Sequence, residues 1–377
     1  MKIGVPKESA QGETRVALVP STLSSLLRDK HEILVERGAG VAAASGDEDY
    51  VKAGARVVGR DEVYAADVIV KVQPPLRNGN THEASLLREG STYIGFLAPL
   101  ANAETVKMCA SRKVTTFSME YVPRISRAQS MDALSSMATV AGYKAVMIAA
   151  DHLGKMFPLL MTAAGTVPPA NVVILGAGVA GLQAIATARR LGGRVEAFDP
   201  RAAVKEQVKS LGAGFIDMEM PKDAETTGGY AKELSDEFLK KEQEAIATRL
   251  PKAHVVITTA QVFGKKAPVL ITADMVKMMP PGAVIVDLAA EQGGNCELTQ
   301  AGKTIDAGGV SVIGAVNLPA AVPVDASSLY ARNVVTLFRH LYPKADAIPD
   351  FNDEIVKGAC ITRNGEIVNE QVRTALG

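Results

Sequence analysis

The chain has 377 residues, 47% of them hydrophobic, enough to bury two ordinary cores, so two domains are expected. Its 41 Lys and Arg balance 41 Asp and Glu, which leaves no net positive field to gather a polyanion, and nucleic acid is not an expected partner. Cys109, Cys296 and Cys360 stand far apart with no CxxC, and the five histidines form neither HExxH nor a zinc-spaced cluster, so buried thiols and no metal site are expected.

The N-terminal MKIGVPKES reads as a strand and a loop, without the apolar run of a secretory signal. KIGV, EILVE, DVIVKV, STYIGFL and VTTFSM read as strands, with helices over Ser21–Asp29 and Asn102–Arg112 between them. A long helical stretch follows from about Asp132 to Met156. Its most apolar part, Met137–Ala150, carries Lys144 and falls short of the roughly 20 apolar residues that span a bilayer, so the chain is expected to be soluble. MTAAGTVPPA, with its glycine and paired prolines, reads as a loop between units.

The second half restarts with NVVILGAG and continues through RVEAFD, AHVVITTA, AVIVDLA and VSVIGAVN, the near-continuous apolar runs of a parallel sheet buried on both faces. A helix is expected over Asp325–Leu341 and then a loop-rich tail, most simply returned to the first domain. The expected architecture is α/β, two doubly wound Rossmann-like domains with a cofactor cleft between them. The first domain is expected to comprise residues 1–135 with 325–377, and the second residues 136–324.

Chemistry begins at Gly176-Ala177-Gly178-Val179-Ala180-Gly181, which follows a strand and opens an Ala-rich helix over Leu182–Leu191. In such a GxGxxG turn the first glycine permits the bend, the second lets backbone approach a pyrophosphate, and the third lets helix and strand pack closely. Asp199, ending the next strand about 20 residues on, is placed to accept ribose hydroxyls and to repel a 2′-phosphate, which favours NAD over NADP. Pro200 and Arg201 follow it. Arg201 reads either as a group that accommodates a 2′-phosphate or as a solvated residue at a helix start.

Two further segments are rich in hydrogen-bonding groups. Arg124-Ile-Ser-Arg127-Ala-Gln129-Ser-Met-Asp132-Ala-Leu-Ser135 suits a loop that grips a polar planar group, yet Ser130 or Asp132 serves equally well as the N-cap of the next helix. Thr226-Thr-Gly228-Gly229-Tyr230 reads as a flexible loop able to close over a cofactor or as a plain surface loop. The charged run AKELSDEFLKKEQEA after it reads as the exposed face of a helix.

RISRAQSMDALSS, MTAAGTVPPA, GAGVAGLQAIATARRLG, TTGGYAKE, KKAPVLIT and EQGGNC, in this order, resemble domain I, the NAD(H)-binding part, of proton-translocating nicotinamide nucleotide transhydrogenase; alanine dehydrogenase shares the framework. The resemblance implies a homodimer that binds NAD(H) and exchanges hydride directly with NADP(H) on a partner component. A membrane domain moves protons, and this chain lies on the cytoplasmic side, peripheral to the inner membrane and not inserted in it. It assigns the nicotinamide end to Arg124, Arg127, Gln129, Asp132 and Ser135, with Gln129 facing the second nucleotide. A mobile loop falls at Gly229 and Tyr230, the adenosine-binding carboxylate at Asp199 and an adenine-side pocket wall at Gln261.

Direct transfer between two nicotinamides needs no general acid or base, so Gln129, Asp132 and Arg124 are expected to position rather than to titrate. An alanine dehydrogenase, by contrast, must move protons. Its resemblance to this chain keeps the keto-acid residues as Arg15 and Lys71 and places Glu291 where a catalytic aspartate stands, but its catalytic histidine aligns with Ala98. An alanine transfers no proton. The remaining alternative is a non-enzymatic NAD(H)-binding module.

Overall fold

The computed structural model describes residues 1–218, 236–261, 265–344 and 347–377. The chain forms two compact units, Met1–Met137 with Pro319–Gly377, and Ala138–Leu318. Each is built on one mainly parallel sheet, the α/β Rossmann-like architecture read from the sequence.

In the first unit the strand order is Glu366–Ile367, Cys360–Arg363, Thr115–Ser118, Thr92–Gly95, Val68–Val70, Lys2–Val5, Glu32–Glu36, Arg56–Val58. The strands from Thr115–Ser118 onward pair in parallel, and Ile3, Ile69, Tyr93, Ile94 and Phe117 are wholly buried. The tail expected to be loop-rich instead adds two antiparallel strands, Cys360–Arg363 and Glu366–Ile367, framed by the helices Glu354–Ala359 and Glu370–Leu376. Its strands are too short for periodicity to register, but both helices start at side-chain caps, Asp353 on the Ile355 and Val356 N–H groups and Asn369 on that of Val372.

In the second unit the order is Gly214–Phe215, Arg194–Phe198, Asn171–Leu175, Val255–Thr258, Val284–Asp287, Ser311–Gly314, Thr304–Asp306. The reversal of direction beside Asn171–Leu175 is the crevice at which doubly wound sheets bind ligands. Among the described residues this sheet has seven strands, where the sequence suggests a six-strand fold in outline on five legible apolar runs. Thr304–Asp306 is an exposed antiparallel edge and Gly214–Phe215 only two residues long, so neither carries a buried-strand signature.

MTAAGTVPPA is not simply a loop: Leu160–Thr162 and Gly165–Val167 pair as an antiparallel hairpin, with Met161 75% exposed. The preceding helix, Ala133–His152, has 20 residues and a mean hydropathy of 1.3, so by length and composition it can cross a membrane, contrary to the expectation from Met137–Ala150. The shorter stretch counted only the residues around Lys144, whereas the helix extends by a turn at its N-terminal end. Its Ala145, Val146 and Ala149 are wholly buried in the second unit's core.

Candidate nucleotide site

The glycine turn has the shape its spacing predicts. Asn171–Leu175 ends at Gly176, whose φ of +96° is a left-handed conformation that favours glycine, and the helix Val179–Arg190 starts at Gly178. A Cβ on Gly181 would stand 1.9 Å from the Gly176 carbonyl oxygen, so only glycine allows this helix to leave the turn at such close range. Thr259 supports the bend from the neighbouring strand, donating its hydroxyl to the Gly176 carbonyl at 3.1 Å. The unshared N–H groups at the helix start suit a phosphate, so the turn fits a dinucleotide diphosphate.

Asp199 is 2% exposed and belongs to this same corner. Its Oδ2 accepts the Ala177 N–H at 2.7 Å and Arg201 Nη2 at 2.8 Å; its Oδ1 accepts the Arg201 N–H and Nε, both at 2.9 Å. Arg201 is therefore no solvated helix-start residue: its side chain is 12% exposed and clasps Asp199. Pro200 is half-buried and Val179 is 40% exposed at the helix start. Gln261, exposed after Val255–Thr258, donates its side-chain amide to the Leu288 carbonyl at 2.9 Å.

Glu242 is a residue that sequence reasoning missed. The charged run reads as facing solvent, yet in the helix Asp236–Ala247 Glu242 is only 4% exposed. Burial and then the charge of Asp199 push its carboxyl up to about 7. The bare pattern of charges hides this, since one inward Glu among exposed ones has no distinguishing neighbour. Gly229 and Tyr230, with the rest of Thr226–Tyr230, lie outside the described residues.

The second set of candidates belongs to the first unit. Ser126–Met131 forms a 3-10 turn, after which Asp132 starts the long helix: its Oδ1 accepts the Ser135 N–H at 2.8 Å and its Oδ2 the Ser135 hydroxyl at 2.6 Å. The capping alternative is thus realised by Asp132, and Ser130 contributes its carbonyl instead. Arg124 Nε lies 3.9 Å from Asp132 Oδ2. Gln129 is exposed on the turn.

This turn is braced by further residues outside the motif. Asn333, in the helix Pro323–Leu341, donates its amide to the Ser130 carbonyl at 2.8 Å, and Arg127 Nη1 meets Asp353 Oδ2 at 3.1 Å. Asp353 also faces His340 Nε2 at 3.1 Å, so one carboxylate joins the turn, the helix Pro323–Leu341 and the helix Glu354–Ala359, which it caps. The cap pattern Asn-Asp-Glu before an apolar turn was a legible signal for Asp353; its second task was not.

The residues aligned with a keto-acid site are saturated by internal charges. Lys71, 1% exposed, meets Glu83 at 2.6 Å and Glu8 at 3.6 Å. Arg15 forks onto Glu13 through Nε at 2.8 Å and Nη2 at 2.7 Å. Burial opposes ionisation of Glu13, but the Arg15 guanidinium holds its carboxyl down to about 2. Glu291 is exposed in the 3-10 turn Ala290–Gln292. Ala98 is exposed too, with a φ of +41°. The three cysteines are buried, and burial pushes the thiols of Cys109 and Cys360 up to about 12 and that of Cys296 to about 11.

Two mainly parallel sheets of this order, the second carrying a glycine turn with an acidic residue beside it, define a two-unit protein of the Rossmann-like class. Family profiles sharpen that: "Alanine dehydrogenase/PNT, N-terminal domain" matches residues 4–141 and "Alanine dehydrogenase/PNT, C-terminal domain" residues 145–370. The chain belongs to the alanine dehydrogenase/PNT family. It is 48% identical over 379 residues to the first part of the NAD(P) transhydrogenase subunit alpha of Rhodospirillum rubrum, covering 98% of both chains. Among solved structures, a transhydrogenase from Sinorhizobium meliloti superposes with a TM-score of 0.88 at 43% identity, covering 98% of this chain and 100% of that one. An L-alanine dehydrogenase gives 0.84 at 27%, with both chains fully covered.

Proposed function

We propose that the chain is the NAD(H)-binding component of a proton-translocating transhydrogenase. Its relatives named as NAD(P) transhydrogenase subunit alpha support the reading, and one observation within the chain carries it: the position at which alanine dehydrogenase needs a proton donor holds Ala98. In this reading NAD(H) supplies or accepts the hydride, and NADP(H) on a separate component is the other party.

The chain's own residues then bind and orient. Gly178, Val179 and Gly181 take the diphosphate on backbone N–H groups, Gly176 and Ala177 shape the turn beneath it with the Ala177 N–H held on Asp199, and Asp199, Pro200, Arg201 and Gln261 form the adenosine end. Arg124, Arg127, Asp132 and Ser135 grip the carboxamide and ribose of the nicotinamide end. Exposed Gln129 faces the partner nucleotide; Gly229 and Tyr230, assigned to the cofactor by resemblance, lie outside the described residues. No residue here has to move a proton, which agrees with a turn built from amides, hydroxyls, guanidinium groups and a helix-capping carboxylate. A homodimer attached to its membrane domain on the cytoplasmic side completes the proposal.

The test is NADH consumption by the purified chain with pyruvate and ammonium, with NADH binding confirmed in the same sample. Binding without consumption, followed by hydride exchange once an NADP(H)-binding component is added, is the expected result. Sustained consumption would overturn the reading in favour of an amino-acid dehydrogenase with another proton donor.

A further inference from the structure

We infer that Arg201 is an internal stand-in for the adenosine ribose, occupying Asp199 until the nucleotide displaces it, and that this exchange sets the preference for a free 2′-hydroxyl. The inference rests on the proposed role of Asp199 as the ribose acceptor. A carboxylate offers about four lone-pair sites. Those of Asp199 are taken by the backbone N–H groups of Ala177 and Arg201 and by Nε and Nη2 of the Arg201 side chain.

Two of these donors are backbone and stay. The other two form a planar fork, one on each oxygen, which is also how a vicinal diol presents its two hydroxyl donors. A ribose therefore gains Asp199 only when the guanidinium leaves, and it then fills the two sites released. The guanidinium lies beside the glycine turn, with Nη2 3.8 Å from where a Cβ on Gly178 would be. A 2′-phosphate has no 2′-hydroxyl proton to donate, so it cannot replace the fork; it is tolerated only while Arg201 neutralises Asp199.

Removing the guanidinium should accordingly move two ligands in opposite directions. NADH binding no longer competes with an internal occupant, and its affinity rises about threefold to tenfold, the reciprocal of an open fraction of about one third to one tenth. NADPH meets a bare carboxylate and binds more weakly. A purely structural arginine would shift both the same way.

The experiment is equilibrium binding of NADH and NADPH to the full chain and to Arg201→Gln and Arg201→Lys, with thermal melts to verify folding, and to Asp199→Ser in parallel. Tighter NADH and weaker NADPH in Arg201→Gln, with Arg201→Lys intermediate, is expected. NADH binding that weakens or stays unchanged in Arg201→Gln would overturn the inference. If Asp199→Ser leaves NADH affinity and the NADH/NADPH ratio unchanged, the ribose role of Asp199 fails, and this inference with it. If Asp199→Ser weakens NADH but Arg201→Gln does not tighten it, the stand-in role alone is wrong.

Discussion

Glu120 holds the loop at Ala98 by its backbone: the carboxylate accepts the Leu97 N–H at 2.9 Å and the Ala98 N–H at 2.7 Å, and Ser118 donates its hydroxyl to it. The left-handed turn is thus anchored by a half-buried acid below it and not by any property of the side chain at 98. Glu120→Ala should cost about 1–3 kcal/mol in chemical denaturation, the penalty of leaving such donors without an acceptor. Ala98→His, at an exposed position, should cost less than about 1.5 kcal/mol despite the positive φ. Equal costs for the two would mean that the side chain at 98, and not the anchor, shapes the loop.

Asp287 performs a similar task at the end of its strand in the second unit, and it is wholly buried. It accepts five donors: the hydroxyls of Thr258 at 2.8 Å and Thr299 at 2.6 Å, and the N–H groups of Ala289, Asn295 and Cys296 at 2.9, 2.7 and 3.0 Å. Asp287→Ala strands all five in a core, so a loss of about 3–5 kcal/mol is expected, the range for breaking a buried charged network. A loss under about 1 kcal/mol by urea titration would show that water replaces the carboxylate there.

The fold was legible wherever burial enforces a period. NVVILGAG, AHVVITTA and AVIVDLA each supply residues to a core on either face of the sheet, so their strands could hardly be anything but apolar, and the glycine turn follows from steric necessity at Gly176 and Gly181. What stayed hidden depends on tertiary partners. Thr304–Asp306 and Cys360–Arg363 become strands because a neighbouring strand is there to pair with them, and the hairpin Leu160–Thr162 with Gly165–Val167 lies in a segment whose Gly and Pro read only as a break. In the site, Asp199 was readable from its distance to the turn. Its occupation by Arg201 was not, since the sequence places the two side by side without giving their orientation, and Glu242 was masked by the charges around it.

Glu242 makes stability depend on pH in a stated direction. Its carboxyl is raised from 4.5 to about 7 in the folded chain by burial and the Asp199 charge. The folded state thus binds the proton more tightly than the unfolded one, and this favours folding below the unfolded value. The contribution is lost as pH rises through the interval to about 7, roughly 3 kcal/mol in all. Glu242→Gln should therefore raise the melting temperature at pH 8 and change it little at pH 4.5, measured by calorimetry at both. A variant that stabilises equally at the two values would place the benefit in packing and not in removing a buried charge.

Gln129 separates binding from transfer. It is exposed on the Ser126–Met131 turn, while the groups that brace this turn from other elements, Asn333 on the Ser130 carbonyl and Asp353 on Arg127, hold it at residues other than Gln129. Gln129→Asn should leave those braces in place, so NADH affinity should stay within about twofold, under 0.5 kcal/mol, as for a surface substitution. On the proposed role, hydride transfer to the NADP(H)-binding component falls by about tenfold or more, because a side chain shortened by one methylene no longer holds the two rings at contact. Asn333→Ala, which frees the same turn from behind, should lower transfer as well while weakening NADH binding too. Weakened binding in Gln129→Asn with full transfer at saturating NADH would instead make Gln129 a ligand of NAD(H) alone, with the partner nucleotide held in register by other residues of the turn.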